Sequence, residues 1–141
     1  MEDTNELLER LKSSRDIDSL TNYLDTIEDI GDKSIHEHLK KIMKDRKVPP
    51  RDLIRKSGIE RTYCYQILNG RKKPGRDKIL AIAIALNLEL EDTQRMLAIS
   101  HEGVLYAKSR RDSVIIYALN KKFNLIDTNA LLLKYGEPEL K

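Results

Sequence analysis

Residues Pro49 to Pro74 read PPRDLIRKSGIERTYCYQILNGRKKP and carry the clearest structural pattern in the chain. Its pattern predicts a short helix that begins at Pro50, because the first turn of a helix does not use the amide proton that proline lacks. Gly58 can adopt the positive φ that a sharp turn needs. A second helix over residues 60–68 and a basic glycine loop follow. This order of elements is that of a helix-turn-helix.

The second helix of this stretch has one apolar and one polar face. Helical spacing places Cys64, Ile67 and Leu68 on the same side, which predicts that they face the core. The opposite side exposes a set of longer and more polar residues. They are Arg61, Thr62, Tyr65, Gln66 and Asn69.

The polar face carries side chains that can read double-stranded DNA. The guanidinium of Arg61 can donate two hydrogen bonds to guanine, and Gln66 can pair bidentately with adenine. Thr62 and the ring of Tyr65 can contact thymine methyl groups or a phosphate. We therefore predict base contacts from Arg61, Thr62, Tyr65 and Gln66, with helix-surface packing as the alternative for the tyrosine.

Phosphate contacts are predicted around this face. The set is Arg51, Tyr63, Asn69, Arg71, Lys72 and Lys73. The three loop cations adjoin a glycine, and such residues hold the DNA backbone more often than they read bases. For Tyr63 the alternative is packing on the helix surface, and for Arg51 it is a solvated helical face.

Charge is distributed unevenly along the 141 residues. Residues 1–34 hold ten acids and four bases, a net charge of −6, whereas residues 35–88 hold five acids and fourteen bases, a net charge of +9. Residues 89–141 hold eight of each and are neutral. A basic block that coincides with a helix-turn-helix pattern indicates a surface for a polyanion.

Composition narrows the class of protein. Cys64 is the only cysteine, so no disulfide can form within the chain, and a reducing compartment is predicted. Residues 1–4 are acidic and do not resemble a signal peptide, and the apolar run 79–86 is too short to cross a bilayer. We expect a cytoplasmic protein that acts on the nucleoid and has no membrane contact.

The rest of the chain predicts helices only, and hence the all-α class. An acidic N-terminal segment, 1–34, is expected to form a helical hairpin, with Leu20, Leu24 and Ile27 on one stripe. Residues 35–99 form the helix-turn-helix domain, in which the apolar segment that follows Arg76 is the central helix. Residues 100–141 form a C-terminal helical hairpin that either packs on this domain or serves oligomerisation.

The C-terminal hairpin shares a pattern with the segment before it. Arg76-Asp77, Ala85-Leu86-Asn87 and Asp92-Thr93 have counterparts in Arg111-Asp112, Ala118-Leu119-Asn120 and Asp127-Thr128. The outer pairs are offset by 35 residues and the triplet by 33. Asn124 stands where the cap of the last helix belongs. The pattern indicates either an internal duplication or two unrelated amphipathic hairpins.

Residues 35–99 resemble the Xre/Cro-type helix-turn-helix domain of bacterial and phage repressors. The residues that carry the resemblance are Leu39, Ile42, Leu53, Ile54, Ser57, Gly58, Ile59, Cys64, Ile67, Gly70, Pro74, Leu80, Ala83, Leu86 and Leu90. The resemblance implies a compact five-helix domain that inserts its third helix into the major groove.

Two positions depart from the family pattern. Pro50 stands where members carry a glutamine that touches DNA, and Glu60 stands where they carry a small polar cap. A carboxylate at that place repels phosphates unless it accepts from cytosine or pairs with Arg61.

These features predict a sequence-specific DNA-binding transcriptional regulator, a repressor that binds two half-sites as a homodimer. No nucleophile, base and orienting group occur together, so we predict no enzyme and no cofactor. His36 and His38 point apart on a helix, so no metal site is predicted. The rival hypothesis is an adaptor or antitoxin-like protein that binds a protein partner through its N- or C-terminal helices.

Overall fold

The computed structural model describes Ile17, Leu20, Thr21 and residues 34–141. The chain divides into two compact units, Met1–Ser34 and Ile35–Lys141. In the first unit, Ile17, Leu20 and Thr21 are helical, and the Thr21 hydroxyl donates to the Ile17 carbonyl at 2.9 Å. The rest of the predicted N-terminal hairpin lies outside the described residues.

The second unit is built from helices, and residues 34–141 contain no strand. Its seven helices are α1 (Ile35–Arg46), α2 (Pro50–Ser57), α3 (Arg61–Leu68), α4 (Arg76–Ala85), α5 (Leu90–Ile99), α6 (Arg110–Asn120) and α7 (Leu125–Lys134). The predicted all-α class is confirmed. Five of these helices lie within 35–99, and α6 with α7 forms a hairpin after them.

Helix α4 is the centre of the core. All residues from Ile79 to Ala85 are buried, and α2, α5 and α7 pack around the helix. A helix that is apolar on every side is stable only when neighbours cover each side, as they do here. The prediction of a central helix at this position is confirmed.

The turn between α2 and α3 has the geometry that the sequence predicts. Gly58 has φ of 68°, and its amide donates to the Ile54 carbonyl at 3.2 Å. The Ser57 hydroxyl accepts from the amide of Ile59, whose side chain returns to the core. A Cβ on Gly58 would lie 3.2 Å from the side chain of Leu125 on α7, so the C-terminal hairpin packs against the turn of the helix-turn-helix.

Two reciprocal ion pairs join the C-terminal hairpin to the central helix. Arg76 of α4 donates to both carboxylate oxygens of Asp112 of α6, at 3.0 and 2.8 Å. Arg111 of α6 donates to both oxygens of Asp77 of α4, each at 3.0 Å. Because bidentate arginine–carboxylate pairs fix both distance and orientation, they set the angle between the two hairpins.

Equivalent hydrogen bonds also occur in the segment after α5 and in the segment after α7. The backbone amide of Leu105 donates to the side-chain oxygen of Gln94 at 2.7 Å. At the positions 35 residues later, the backbone amide of Leu140 donates to the side-chain oxygen of Asn129 at 2.8 Å. Arg76 also donates to the carbonyls of residues 103 and 104, and Arg111 to those of 138 and 139. Residues 76–106 and residues 111–141 are therefore two copies of the same structural unit.

The structure corrects the alignment of the two units. Asn87 and Lys122 both end their helix in the left-handed region, with φ of 53° and 59°, so they are equivalent at the offset of 35. The offset of 33, which matched Asn87 with Asn120, is wrong. At 35, nine of 31 positions are identical: Arg76/Arg111, Asp77/Asp112, Ala83/Ala118, Leu90/Leu125, Asp92/Asp127, Thr93/Thr128, Leu97/Leu132, Glu102/Glu137 and Leu105/Leu140. This constant offset favours duplication over two unrelated hairpins.

Candidate nucleic-acid interface

Helix α3 begins with a side-chain cap from Glu60. The carboxylate accepts from the amides of Thr62 and Tyr63, both at 2.9 Å. These two backbone bonds, the Thr62 bond first, hold the pKa of Glu60 below its ordinary value. Both of its oxygens satisfy the helix N-terminus, whose dipole favours negative charge, so the carboxylate needs no pairing with Arg61. It remains an anion, and its repulsion of a nearby phosphate stays a prediction.

The predicted base-reading residues lie on one face of α3. Arg61, Thr62 and Tyr65 are exposed, and Gln66 is half-buried on the same side. The Arg61 guanidinium lies 5.8 Å from the centroid of the Tyr65 ring, a cation–π distance. The tyrosine ring therefore helps to orient the arginine, and both remain accessible to a ligand.

Tyr63 lies on a different side of the helix from these residues. Its ring is partly buried against the core, and the Lys78 ammonium lies 6.0 Å from the ring centroid. The ring of Tyr63 therefore packs on the helix surface, as the alternative interpretation held. A contact between its hydroxyl and a phosphate stays a prediction. Lys78 was absent from the predicted set, and its place beside Tyr63 puts another cation near the loop after α3.

The basic loop after α3 is fixed by its backbone. The Gln66 carbonyl accepts from the amides of Arg71 and Lys72, at 3.0 and 3.1 Å. The Asn69 side chain accepts from the Arg71 amide at 3.0 Å, so this residue shapes the loop whether or not its amide group also touches DNA. Pro74 is buried and closes the loop. Arg71, Lys72 and Lys73 are therefore exposed on a turn whose backbone is held by hydrogen bonds.

The cations of this surface are available to a polyanion. Within the described part of the chain, none of Arg51, Arg71, Lys72 and Lys73 forms an ion pair with a carboxylate, and all four are exposed. Arg76 and Arg111, by contrast, are committed to aspartates within the fold. Arginine and lysine side chains without intramolecular partners keep their full attraction for phosphate.

The side chain of His36 packs against the basic loop at Gly70. The sequence pattern did not indicate this contact. An ideal Cβ built on Gly70 would lie 2.8 Å from the imidazole of His36, which is half-buried on α1. Nothing in the local pattern marks such a contact, because it joins residues 34 positions apart.

Gly70→Ala should weaken the loop and with it DNA binding. Gly70 has φ of 84°, where a side chain costs about 1–2 kcal/mol, and the new methyl group must displace the His36 ring. We expect a lower thermal midpoint and weaker DNA binding, measured by calorimetry and fluorescence anisotropy. Gly75→Ala is the control, because φ is −75° there and a Cβ meets nothing within 4 Å. Equal effects of the two substitutions would contradict the role given to Gly70.

Pro50 has a packing role at the position where a family glutamine was expected. It is half-buried at the first turn of α2 and lines an apolar groove of about 390 Å³ beside α3. Tyr65 and Asn69 also line this groove. No contact with DNA follows from Pro50 itself, so the neighbouring Arg51 is the exposed cation at this helix end.

The described residues hold no other arrangement that suggests chemistry. Among them, no group of three or more histidine, cysteine and carboxylate side chains is placed to hold a metal ion. Cys64 is buried as predicted, and burial raises the pKa of its thiol. No helix in this part of the chain is long and apolar enough to cross a membrane.

The fold and this surface define a helix-turn-helix domain. Residues 38–93 match the model of the family described as the Cro/C1-type HTH DNA-binding domain, which is 56 of the 141 residues. The chain therefore contains a Cro/C1-type helix-turn-helix DNA-binding domain, and the resemblance to Xre/Cro-type regulators is confirmed. Neither a curated protein nor a solved structure matches the chain.

Proposed function

We propose that this protein is a sequence-specific transcriptional repressor that inserts α3 into the major groove of its operator and binds two half-sites as a dimer. The observation that carries the proposal is the face of α3 where Arg61, Thr62, Tyr65 and Gln66 lie together, beside a loop whose cations form no ion pair with any described residue. A Cro/C1-type domain binds DNA, and this is the one described surface that combines base-reading side chains with phosphate-binding ones.

The proposed roles follow from side-chain chemistry. Arg61 donates to guanine and Gln66 pairs with adenine, while Thr62 and Tyr65 contact thymine methyl groups or the backbone. Phosphates are held by Arg51 on one side and by Arg71, Lys72 and Lys73 on the other. Asn69 and the hydroxyl of Tyr63 complete the phosphate set.

We propose repression rather than activation because binding to the promoter is by itself enough to repress it. A domain of this size placed on a promoter excludes polymerase by occupying the site. A dimer is proposed because a single recognition helix contacts only a few base pairs, whereas two half-sites one helical turn apart give enough contacts for specificity.

A salt series on an operator fragment tests both the binding and its stoichiometry. Four cations per chain predict that log K falls against log salt with a slope of about −3.6 for one bound chain and about −7 for a dimer. Fluorescence anisotropy between 50 and 200 mM salt measures this slope. A slope near −7 on an inverted repeat, and near −3.6 on a half-site, is the expected result.

The rival role as a protein-interaction adaptor gives a different result in the same experiment. If its DNA contact is lost, no salt-dependent binding is measured. If the contact is auxiliary, binding depends on salt but has the same affinity for operator and scrambled DNA. Binding that is indifferent to alanine at Arg61 and Gln66 would likewise favour the adaptor. A reporter fused to the bound promoter distinguishes repression from activation.

A further inference from the structure

Helix α7 carries an apolar stripe on its solvent side. Ile126, Ala130 and Leu133 are spaced i, i+4 and i+7, so they lie in one row along the helix. All three residues are exposed, Ile126 to 78% and Leu133 to 58% of its accessible area. Large aliphatic residues aligned in this way on a surface indicate a binding face rather than scattered exposure.

The equivalent stripe on α5, which follows the central helix α4, shows that the fold does not require apolar residues here. At the offset of 35, the counterparts of Ile126, Ala130 and Leu133 on α5 are Glu91, Arg95 and Ala98. These counterparts are exposed as well, and two of them are charged. The two helices have the same length and similar backbone angles at both ends, so the fold accepts charged residues at these positions.

The charges beside the stripe make it complementary to itself. Asp127 is exposed in the first turn of α7, and Lys134 is exposed in the last turn. Within the described residues neither forms an ion pair, although the Lys134 ammonium lies 5.7 Å from the Tyr135 ring. In an antiparallel pair of α7 helices, Asp127 faces the partner's Lys134, and Ile126 faces the partner's Leu133.

Ala130 lies midway between the two large residues of the stripe, where the two-fold axis of such a pair would pass. A small side chain at this point lets the helices approach closely. Antiparallel helix dipoles also attract rather than repel each other. Every feature of the stripe therefore repeats itself under a two-fold rotation, as an isologous dimer interface requires.

We propose that a second copy of this chain covers the stripe, with the two α7 helices packed antiparallel. The inference rests on the proposed function in that it supplies the surface of the DNA-binding dimer. Two ten-residue helices, each about 15 Å long, bury less than a standard interface, so the free dimer is weak and DNA reinforces it.

Self-association is tested on the full chain without DNA, by sedimentation from about 5 to 200 μM, the range of a weak dimer. The variant Ile126→Glu/Leu133→Ala gives α7 the residues of α5 at the two large positions of the stripe and should be monomeric, with an unchanged circular dichroism spectrum. Val104→Glu is the matched control, because Val104 is 49% exposed and lies outside the stripe. This control should dimerise as the wild type does.

A charge exchange tests the antiparallel arrangement itself. Asp127→Lys places like charges together twice in each dimer and should raise the Kd about tenfold. Adding Lys134→Asp should restore the wild-type Kd to within about twofold, which a merely destabilised helix would not show. A monomeric wild type, or an Ile126→Glu/Leu133→Ala variant that still dimerises, would overturn the inference.

These results are separable from the proposed function. If the chain dimerises but binds no DNA, the function fails and the interface stands. If DNA binding keeps a slope near −3.6 on the inverted repeat and the free protein is monomeric, the interface fails and DNA recognition stands.

Discussion

Replacing Arg61 and Gln66 together with alanine is expected to abolish operator-specific binding while leaving non-specific binding nearly intact. Each bidentate contact to a base is worth about 1–3 kcal/mol of discrimination, so the pair should cost on the order of 10²–10⁴ in specific affinity. The phosphate contacts remain, because Arg51 and the loop cations are untouched. Anisotropy against operator and scrambled DNA measures both affinities.

Arg95→Ala is the matched control for this experiment. Arg95 is an exposed arginine on α5, and its ion pair with Asp92 is long, at 3.9 Å. Removing it changes the charge of the protein as Arg61→Ala does but touches no proposed base contact. If Arg95→Ala loses as much specificity as the double variant, the role given to the α3 face is wrong.

Asp112→Asn is expected to be the most destabilising single exchange on the surface between the hairpins. The Asp112 side chain is only 7% exposed and accepts from Arg76 and from the Tyr106 amide. Loss of its charge leaves the partly buried guanidinium of Arg76 with neutral acceptors only, the carbonyls of residues 103 and 104 and the new amide, which costs about 2–4 kcal/mol. The thermal midpoint should fall by roughly 10–20 °C, as measured by calorimetry. Asp92→Asn, in an exposed pair, should change it little.

The same carboxylates make stability depend on pH. Burial alone would raise the pKa of Asp112, but the bonds from Arg76 and Tyr106 outweigh it and hold the pKa below its ordinary value. Asp77 behaves alike, with Arg111 and the Lys141 amide as donors. Both groups therefore stabilise the fold fully above pH of about 4, and this contribution is lost as the pH falls through their lowered pKa values.

An acid titration of the unfolding free energy should show this loss below pH of about 4. The slope should be flatter in Asp112→Asn, because that variant has one fewer carboxylate to protonate on unfolding in acid. An identical slope in wild type and variant would mean that Asp112 does not contribute through its charge.

Local patterns predicted the helices and the exposed face of α3 because both depend on spacing within a few residues. Gly58 as the turn, Cys64 in the core and Asn124 as a cap required no knowledge of the rest of the chain. The short pattern Arg-Asp was also visible as a repeat. What the sequence did not show is that each arginine binds the aspartate of the other copy.

Contacts between distant segments account for what sequence reasoning missed. The His36 ring under Gly70 and the exchange between Arg76 and Asp112 join residues more than 30 positions apart, where periodicity carries no information. Glu60 shows a different limit. Glutamate is an uncommon helix cap, so the residue type pointed toward repulsion of phosphate, and only the positions of the Thr62 and Tyr63 amides showed its actual partners.

We propose above all that Arg61 reads a guanine from the major groove. The most direct measurement compares wild type and Arg61→Ala on an operator in which 7-deazaguanine replaces one guanine at a time, removing the N7 acceptor. At the contacted guanine, wild-type affinity should fall about tenfold and Arg61→Ala should show no further loss. A loss of equal size in both proteins at every guanine would contradict the claim.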